Sequence, residues 1–125
     1  MQIKVLLSIK PEFAASIFSG GKKFEYRKAI FKNTNVKKAY VYASRPIGLV
    51  IGEFEIENII SSDPETLWKE TMDVAGVSKD FYDEYFIGRH IAYALRVGAT
   101  VRYKKPKTLM EMFNIERPPQ SFMYI

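Results

Sequence analysis

Over residues 49–60 the chain passes from a continuous apolar run into strict alternation, with Glu53, Glu55 and Glu57 interleaved between Phe54 and Ile56. A period of two sustained over that length reads as a long β-strand, because successive strand side chains point to opposite faces. Comparable segments recur. Residues 2–8 read as a strand with an apolar middle. Residues 23–29 set Phe24 and Tyr26 opposite Glu25 and Arg27, and residues 36–44 set Ala39, Val41 and Ala43 opposite Tyr40 and Tyr42. Residues 91–103 place Tyr93, Leu95, Val97, Val101 and Tyr103 on one face and Ala94, Arg96, Thr100 and Arg102 on the other, until Pro106 breaks the strand. Residues 121–125 form a terminal strand.

Helices are marked by their ends. Pro11 suits a first helical position, where its missing N–H costs nothing, and Gly20-Gly21 stops the run Phe13, Ala14, Ile17, Phe18. Asp63 caps a helix that begins at Pro64 and ends by Gly76; Ser78 caps another that reaches Phe86 and closes at Gly88. Residues 109–113 form one helical turn, and Asn33-Thr34-Asn35 is a turn signal. Five or six strands with two or three short helices imply a mainly β, α+β chain: a small barrel-like sheet in one domain over residues 1–125, with a helical insertion at about 61–88. At 47% hydrophobic residues, 125 residues can bury one core. No cysteine is present, which excludes disulfides, thiol catalysis and thiolate metal sites, and His90 stands alone, so neither a metal nor a cofactor is expected. With no apolar run long enough to span a bilayer and no targeting segment, a cytoplasmic protein without a membrane partner is expected.

Charge is distributed unevenly. Residues 1–40 carry net +7, residues 53–84 net −8, and residues 89–107 six cations with no acid. Two basic segments brought to one side suit a polyanion such as nucleic acid, although lysine-rich surfaces also serve solubility alone. The run Gly20-Gly21-Lys22-Lys23-Phe24-Glu25-Tyr26-Arg27 concentrates charge, and three of its ionisable groups can share one surface, Glu25 and Arg27 on one strand face and Lys22 in the turn before it. Such a trio fits a phosphate and a base edge; it equally fits an ordinary solvated strand.

This run resembles the G-x-K-x-x-E-x-R signature of ASCH domains, in the PUA-like superfamily. Leu6-Leu7-Ser8-Ile9-Lys10-Pro11, Tyr42-Ala43-Ser44-Arg45-Pro46, the stretch from Phe81 to Leu95, and Pro118-Pro119-Gln120-Ser121-Phe122 resemble further landmarks of the family in order. The resemblance implies a PUA-like β-barrel with helices at its openings and a cleft lined by the signature. It also implies binding of RNA or a nucleotide. Some members are similar to amidohydrolases of N4-acetylcytidine and others have been described as ribonucleases. The amidohydrolase type has the signature Lys, a Thr where this chain has Glu25, and a distal Glu, so Lys22 is retained and the Thr is not.

Several roles follow for the candidate residues. In a dry cleft Lys22 would be a nucleophile or base; in a wetter one, a phosphate contact; on a helix end, a partner of the dipole. Arg27 would grip phosphate bidentately while Glu25 accepts from an exocyclic amine or activates a water, or the two would simply pair. Lys22 and Glu25 are thus the catalytic candidates if the chain is an enzyme. Lys10, Ser44, Arg45 and Arg89 join Lys22, Glu25 and Arg27 as ligand contacts, Ser44 lacking the partners of a catalytic serine. Arg96, Arg102, Lys104, Lys105 and Lys107 form a stripe able to track a nucleic-acid backbone, or a plain solvated face. Tyr40, Tyr42, Tyr85 and Tyr93 would stack unpaired bases or fill the core. Glu84 would be a distal acid or a solvated helix residue, and His90 is a structural histidine. The reading is an RNA- or nucleotide-binding module; the alternatives are a small hydrolase on a modified nucleoside or RNA, and a protein-interaction module using the acidic insertion.

Overall fold

The computed structural model describes residues 3–33 and 35–125; Gln2 and Thr34, expected in the first strand and in a turn, lie outside them. Among the described residues six strands form one sheet: β1 (Ile3–Ile9), β2 (Phe24–Arg27), β3 (Val36–Ala43), β4 (Leu49–Ser62), β5 (Ala92–Lys107) and β6 (Phe122–Tyr124). Their order is β2-β5-β4-β3-β1-β6, curled into a half-barrel. Every neighbouring pair is antiparallel except β1 and β3. Helix α1 (Pro11–Ser19) follows β1, with Pro11 in its first turn and Gly20 at φ 93° ending it. Helices α2 (Pro64–Thr71) and α3 (Lys79–Tyr85) fill the β4–β5 connection, capped by Asp63 accepting from Thr66 N and Ser78 accepting from Phe81 N. Helix α4 (Leu109–Phe113) opens with a reciprocal Thr108–Glu111 capping box.

The curl separates three apolar clusters. Val5, Leu7 and Ile9 of β1, with Ala39, Val41 and Ala43 of β3, face Ile17 of α1 inside the curl. Leu6, Tyr42 and Val50 lie on the outer face, covered by Leu109 of α4. The alternation of the first and third strands is therefore that of a sheet covered on both sides. A third cluster joins Phe24 and Tyr26 of β2 to Leu67 of α2 and to Tyr82 and Phe86 at the end of α3. The helical insertion is thus part of the packed body rather than an appendage.

The expected short helices are present, four among the described residues with a 3-10 turn over Met72–Val74. Two expectations need correction. The fifth strand does not alternate evenly: Phe54 pairs with Thr100 but Ile56 with Val97, so β5 carries an extra residue around Gly98–Ala99. That bulge flips the faces, which leaves Val97 buried and Val101 exposed. Nor does Pro106 end the strand. β5 continues to Lys107, because the ladder jumps from Gly52↔Arg102 to Val50↔Lys107 and Pro106 sits where no regular pairing needs its N–H.

No helix among the described residues is long and apolar enough to cross a membrane.

Candidate functional site

Strands β2 and β6 are the two edges of the sheet, and the half-barrel leaves a seam between β2 and the β1–β6 pair. Unpaired strand edges need covering. Here a side chain covers the gap: Arg27, on β2, donates from Nη2 to Ser8 O at 3.0 Å and from Nη1 to Ser121 Oγ at 3.1 Å and Ser121 O at 3.3 Å. Tyr85 of α3 caps the same strand by donating to Tyr26 O at 3.4 Å. A cavity of about 490 Å³ opens at this seam.

Its floor is a charge cluster. Lys22, Glu25 and Arg27 are 1%, 7% and 6% exposed, so the solvated-strand reading of this segment does not hold. Glu25 Oε2 lies 3.0 Å from Arg27 Nη2, and Glu25 Oε1 lies 3.9 Å from Lys22 Nζ. Period-two geometry puts Glu25 and Arg27 together, as expected, and the turn after α1 swings Lys22 beside them. The Lys22 ammonium donates to Ala75 O at 3.0 Å and lies 4.8 Å from the Tyr26 ring centre and 5.5 Å from that of Phe13. Burial holds its pKa below the ordinary lysine value, opposed by the Glu25 carboxylate and reinforced by the Arg27 charge.

The segment after α2 wraps Lys22 closely. Lys23 N donates to Val74 O, and Gly76 takes φ +68° with its Cα pressed on the Lys22 stem. A Cβ at residue 76 would stand 2.4 Å from Lys22 Cβ. Gly76→Ala is therefore expected to destabilise the fold by about 2–4 kcal/mol, adding left-handed strain to overpacking. Urea denaturation measures this, and a loss under about 1 kcal/mol would contradict the close fit.

Aromatic rings form the walls. Phe13, Phe81, Tyr82 and Tyr85 line the cavity with Tyr26, and Phe13 meets Phe81 edge-on at 4.9 Å. Thr71 Oγ1 donates to Leu67 O at 2.8 Å; having one proton, it accepts from Tyr26 O–H at 2.6 Å. Burial raises the Tyr26 pKa to about 12 and that of Tyr103 likewise to about 12. At the mouth, exposed Lys10 lies over the Phe81 ring at 5.0 Å and exposed Lys28 over Tyr85 at 4.7 Å.

These shifts set the alkaline pH dependence. A lysine whose folded pKa is lowered gives stability that rises with pH between that value and the ordinary 10.5, and tyrosines whose folded pKa is raised remove stability above about pH 10. Thermal midpoints are expected to rise toward pH 10 and then fall. The rising limb should vanish in Lys22→Met; a limb that persists there would assign it to another group.

The structure gathers Lys10, Lys22, Glu25, Arg27 and Ser44 around this cavity. Arg45 instead lines a neighbouring groove. Arg89, His90 and Glu84 are exposed and outside the lining; half-buried Tyr93 is outside it too. Arg96 is exposed and pairs with Glu57 at 3.1 Å, and Arg102, Lys104, Lys105 and Lys107 stand exposed on the far half of β5. Tyr40 and Tyr42 pack on the outer face toward α4, so of the four tyrosines only Tyr85 reaches the cavity. Lys28, Gln120 and Ser121 escaped sequence reasoning. No spacing rule links residues 27 and 121, though the Pro-Pro-Gln-Ser-Phe landmark marked the right segment. Among the described residues no three His, Asp or Glu side chains meet in a way that would hold a metal.

A family model of the ASCH domain matches residues 7–109. The ASCH domain-containing ribonuclease of Zymomonas mobilis is 33% identical over 124 residues, covering 98% of this chain and 84% of that protein. The crystal structure of ASCH from Zymomonas mobilis matches with a TM-score of 0.87 at 31% identity, over 98% of this chain and 87% of that one. Large ribosomal subunit protein uL22 of Ureaplasma parvum is 28% identical over 124 residues, but the chain spans only 39% of that protein. By family model, sequence and fold together, this chain belongs to the ASCH domain family.

Proposed function

We propose that the protein binds RNA and takes one nucleotide into the seam cavity. The observation that carries this reading is the combination of aromatic walls, a buried Lys22–Glu25–Arg27 floor and a lysine-bearing mouth in one hollow. Its volume, about 490 Å³, lies in the range of small-ligand sites. A base can lie against Tyr26 or Tyr85, as unpaired bases do on aromatic faces. Glu25 accepts from a base amine. Arg27 is ill placed to clamp a phosphate, since both its terminal nitrogens are committed to Ser8, Ser121 and Glu25. Its Nε–H is buried without a partner among the described residues, a donor left for a guest's carbonyl or ring nitrogen. Phosphate then falls to Lys10 and Lys28.

RNA cleavage is the second reading. It is favoured by the relative named a ribonuclease and by the lowered pKa of Lys22. In its neutral form Lys22 would take the proton of an attacking hydroxyl as that oxygen bonds to phosphorus, the P–O bond to the leaving oxygen breaks and the leaving oxygen gains a proton from solvent. Deacylation of N4-acetylcytidine is less well supported, with Glu25 in place of the Thr and Glu84 away from the cavity. Titrating labelled single-stranded RNA and following its length on gels tests both readings. Binding that weakens with salt and is lost in Lys22→Met supports the first, and shortened fragments add the second. Absence of binding at about 50 mM salt overturns the proposal.

A further inference from the structure

Ser8, Ser44 and Gln120 line both the cavity and a second, larger groove of about 990 Å³ between the β3–β4 turn and the loop leading to β6. We propose that a bound RNA strand continues across this three-residue sill into the second groove, where Arg45 and Arg117 take its phosphates. The inference rests on the reading that the cavity receives a nucleotide, and it extends the site from one nucleotide to several.

Charge supports it. Arg45 and Arg117 are exposed, line the groove and form no ion pair among the described residues, against one lining carboxylate, Glu116. The β5 stripe is less suited: Arg96 is tied to Glu57, and Arg102, Lys104 and Lys105 line neither hollow. Backbone stiffness supports it too. Each arginine directly precedes a proline, Pro46 or Pro118, which narrows the backbone freedom of both residues. The Pro118-Pro119 segment is further moored to β1, with Ser8 Oγ donating to Pro119 O at 2.7 Å and Ser8 N to Ser121 O at 3.1 Å. Stiff backbone fixes where the two side chains start, so only their own rotamers remain to be ordered when they meet a phosphate. Exposed Met110 and half-buried Ile115 give the groove an apolar flank for bases.

The test is a length series, from a nucleoside monophosphate to a hexanucleotide, measured by fluorescence anisotropy or calorimetry on the wild type and on Arg45→Ala/Arg117→Ala. Affinity is expected to climb with length in the wild type. The double variant should bind the monophosphate unchanged and the tetranucleotide about tenfold more weakly at low salt, with a salt slope smaller by about 1.4. Length-independent affinity, or a double variant that keeps the full gain, overturns the groove. So does loss of the gain in Arg102→Ala/Lys104→Ala/Lys105→Ala instead. Monophosphate binding that is absent, or indifferent to Lys22→Met, overturns the cavity reading beneath it, a separable result. Both arginines are exposed, so an unchanged thermal midpoint confirms that the variants fold.

Discussion

Arg27→Met is expected to lower the stability of the fold by about 3–5 kcal/mol, the range for breaking a buried ion pair from one side. Methionine replaces much of the stem volume but none of the four polar contacts. Ser8 O and Ser121 Oγ lose the Arg27 donor, Ser121 O keeps only the Ser8 N–H, and the Glu25 carboxylate, 7% exposed, keeps only Lys22 at 3.9 Å. The same guanidinium ties edge strand β2 to β1 and β6, so the seam loses its lacing as well as a charge. Ser121→Ala removes one neutral partner and should cost only about 1 kcal/mol. Adding Glu25→Gln to Arg27→Met should recover part of the loss, because the stranded carboxylate is then gone. Denaturant midpoints read all three variants; a loss below about 1 kcal/mol for Arg27→Met would mean that the seam is held elsewhere.

Lys22→Met should do the opposite, sparing the fold and removing the function. Methionine is unbranched and of similar length, so the packing against Tyr26, Phe13 and Gly76 survives. The lost hydrogen bond to Ala75 O is offset by relief of a desolvated ammonium, leaving stability within about 2 kcal/mol of the wild type. RNA binding in the cavity should be lost. Any cleavage should fall by about 10²–10⁴-fold, the usual contribution of a positioned base. A folded Lys22→Met protein that binds and cleaves like the wild type would remove this residue from the function.

The fold was legible in the sequence wherever one strand face met one kind of neighbour. Alternation in β3 placed Ala39, Val41 and Ala43 against Tyr40 and Tyr42 correctly, and Pro11, Gly20, Asp63 and Ser78 marked helix ends by local chemistry that needs no tertiary context. Alternation failed in β5, because a bulge at Gly98–Ala99 is a property of the pair of strands and shifts the residues from Thr100 to Arg102 to the other face. In the site, the i, i+2 spacing of Glu25 and Arg27 was readable, but their burial was not. It depends on α3 and the 118–121 segment folding over an edge strand, contacts across 94 residues for Ser121 and 59 for Tyr85. The basic stripe on β5 looked like the natural partner of nucleic acid on charge alone, yet geometry places it outside both hollows.

A crystal of the protein soaked with a nucleoside monophosphate decides whether the seam cavity is the binding site. Density for the base against Tyr26 or Tyr85, with a polar edge within hydrogen-bond reach of Glu25 or Arg27 Nε and the phosphate near Lys10 or Lys28, is the expected result. An empty cavity, with the nucleotide seated only along Arg102, Lys104 and Lys105, would contradict it.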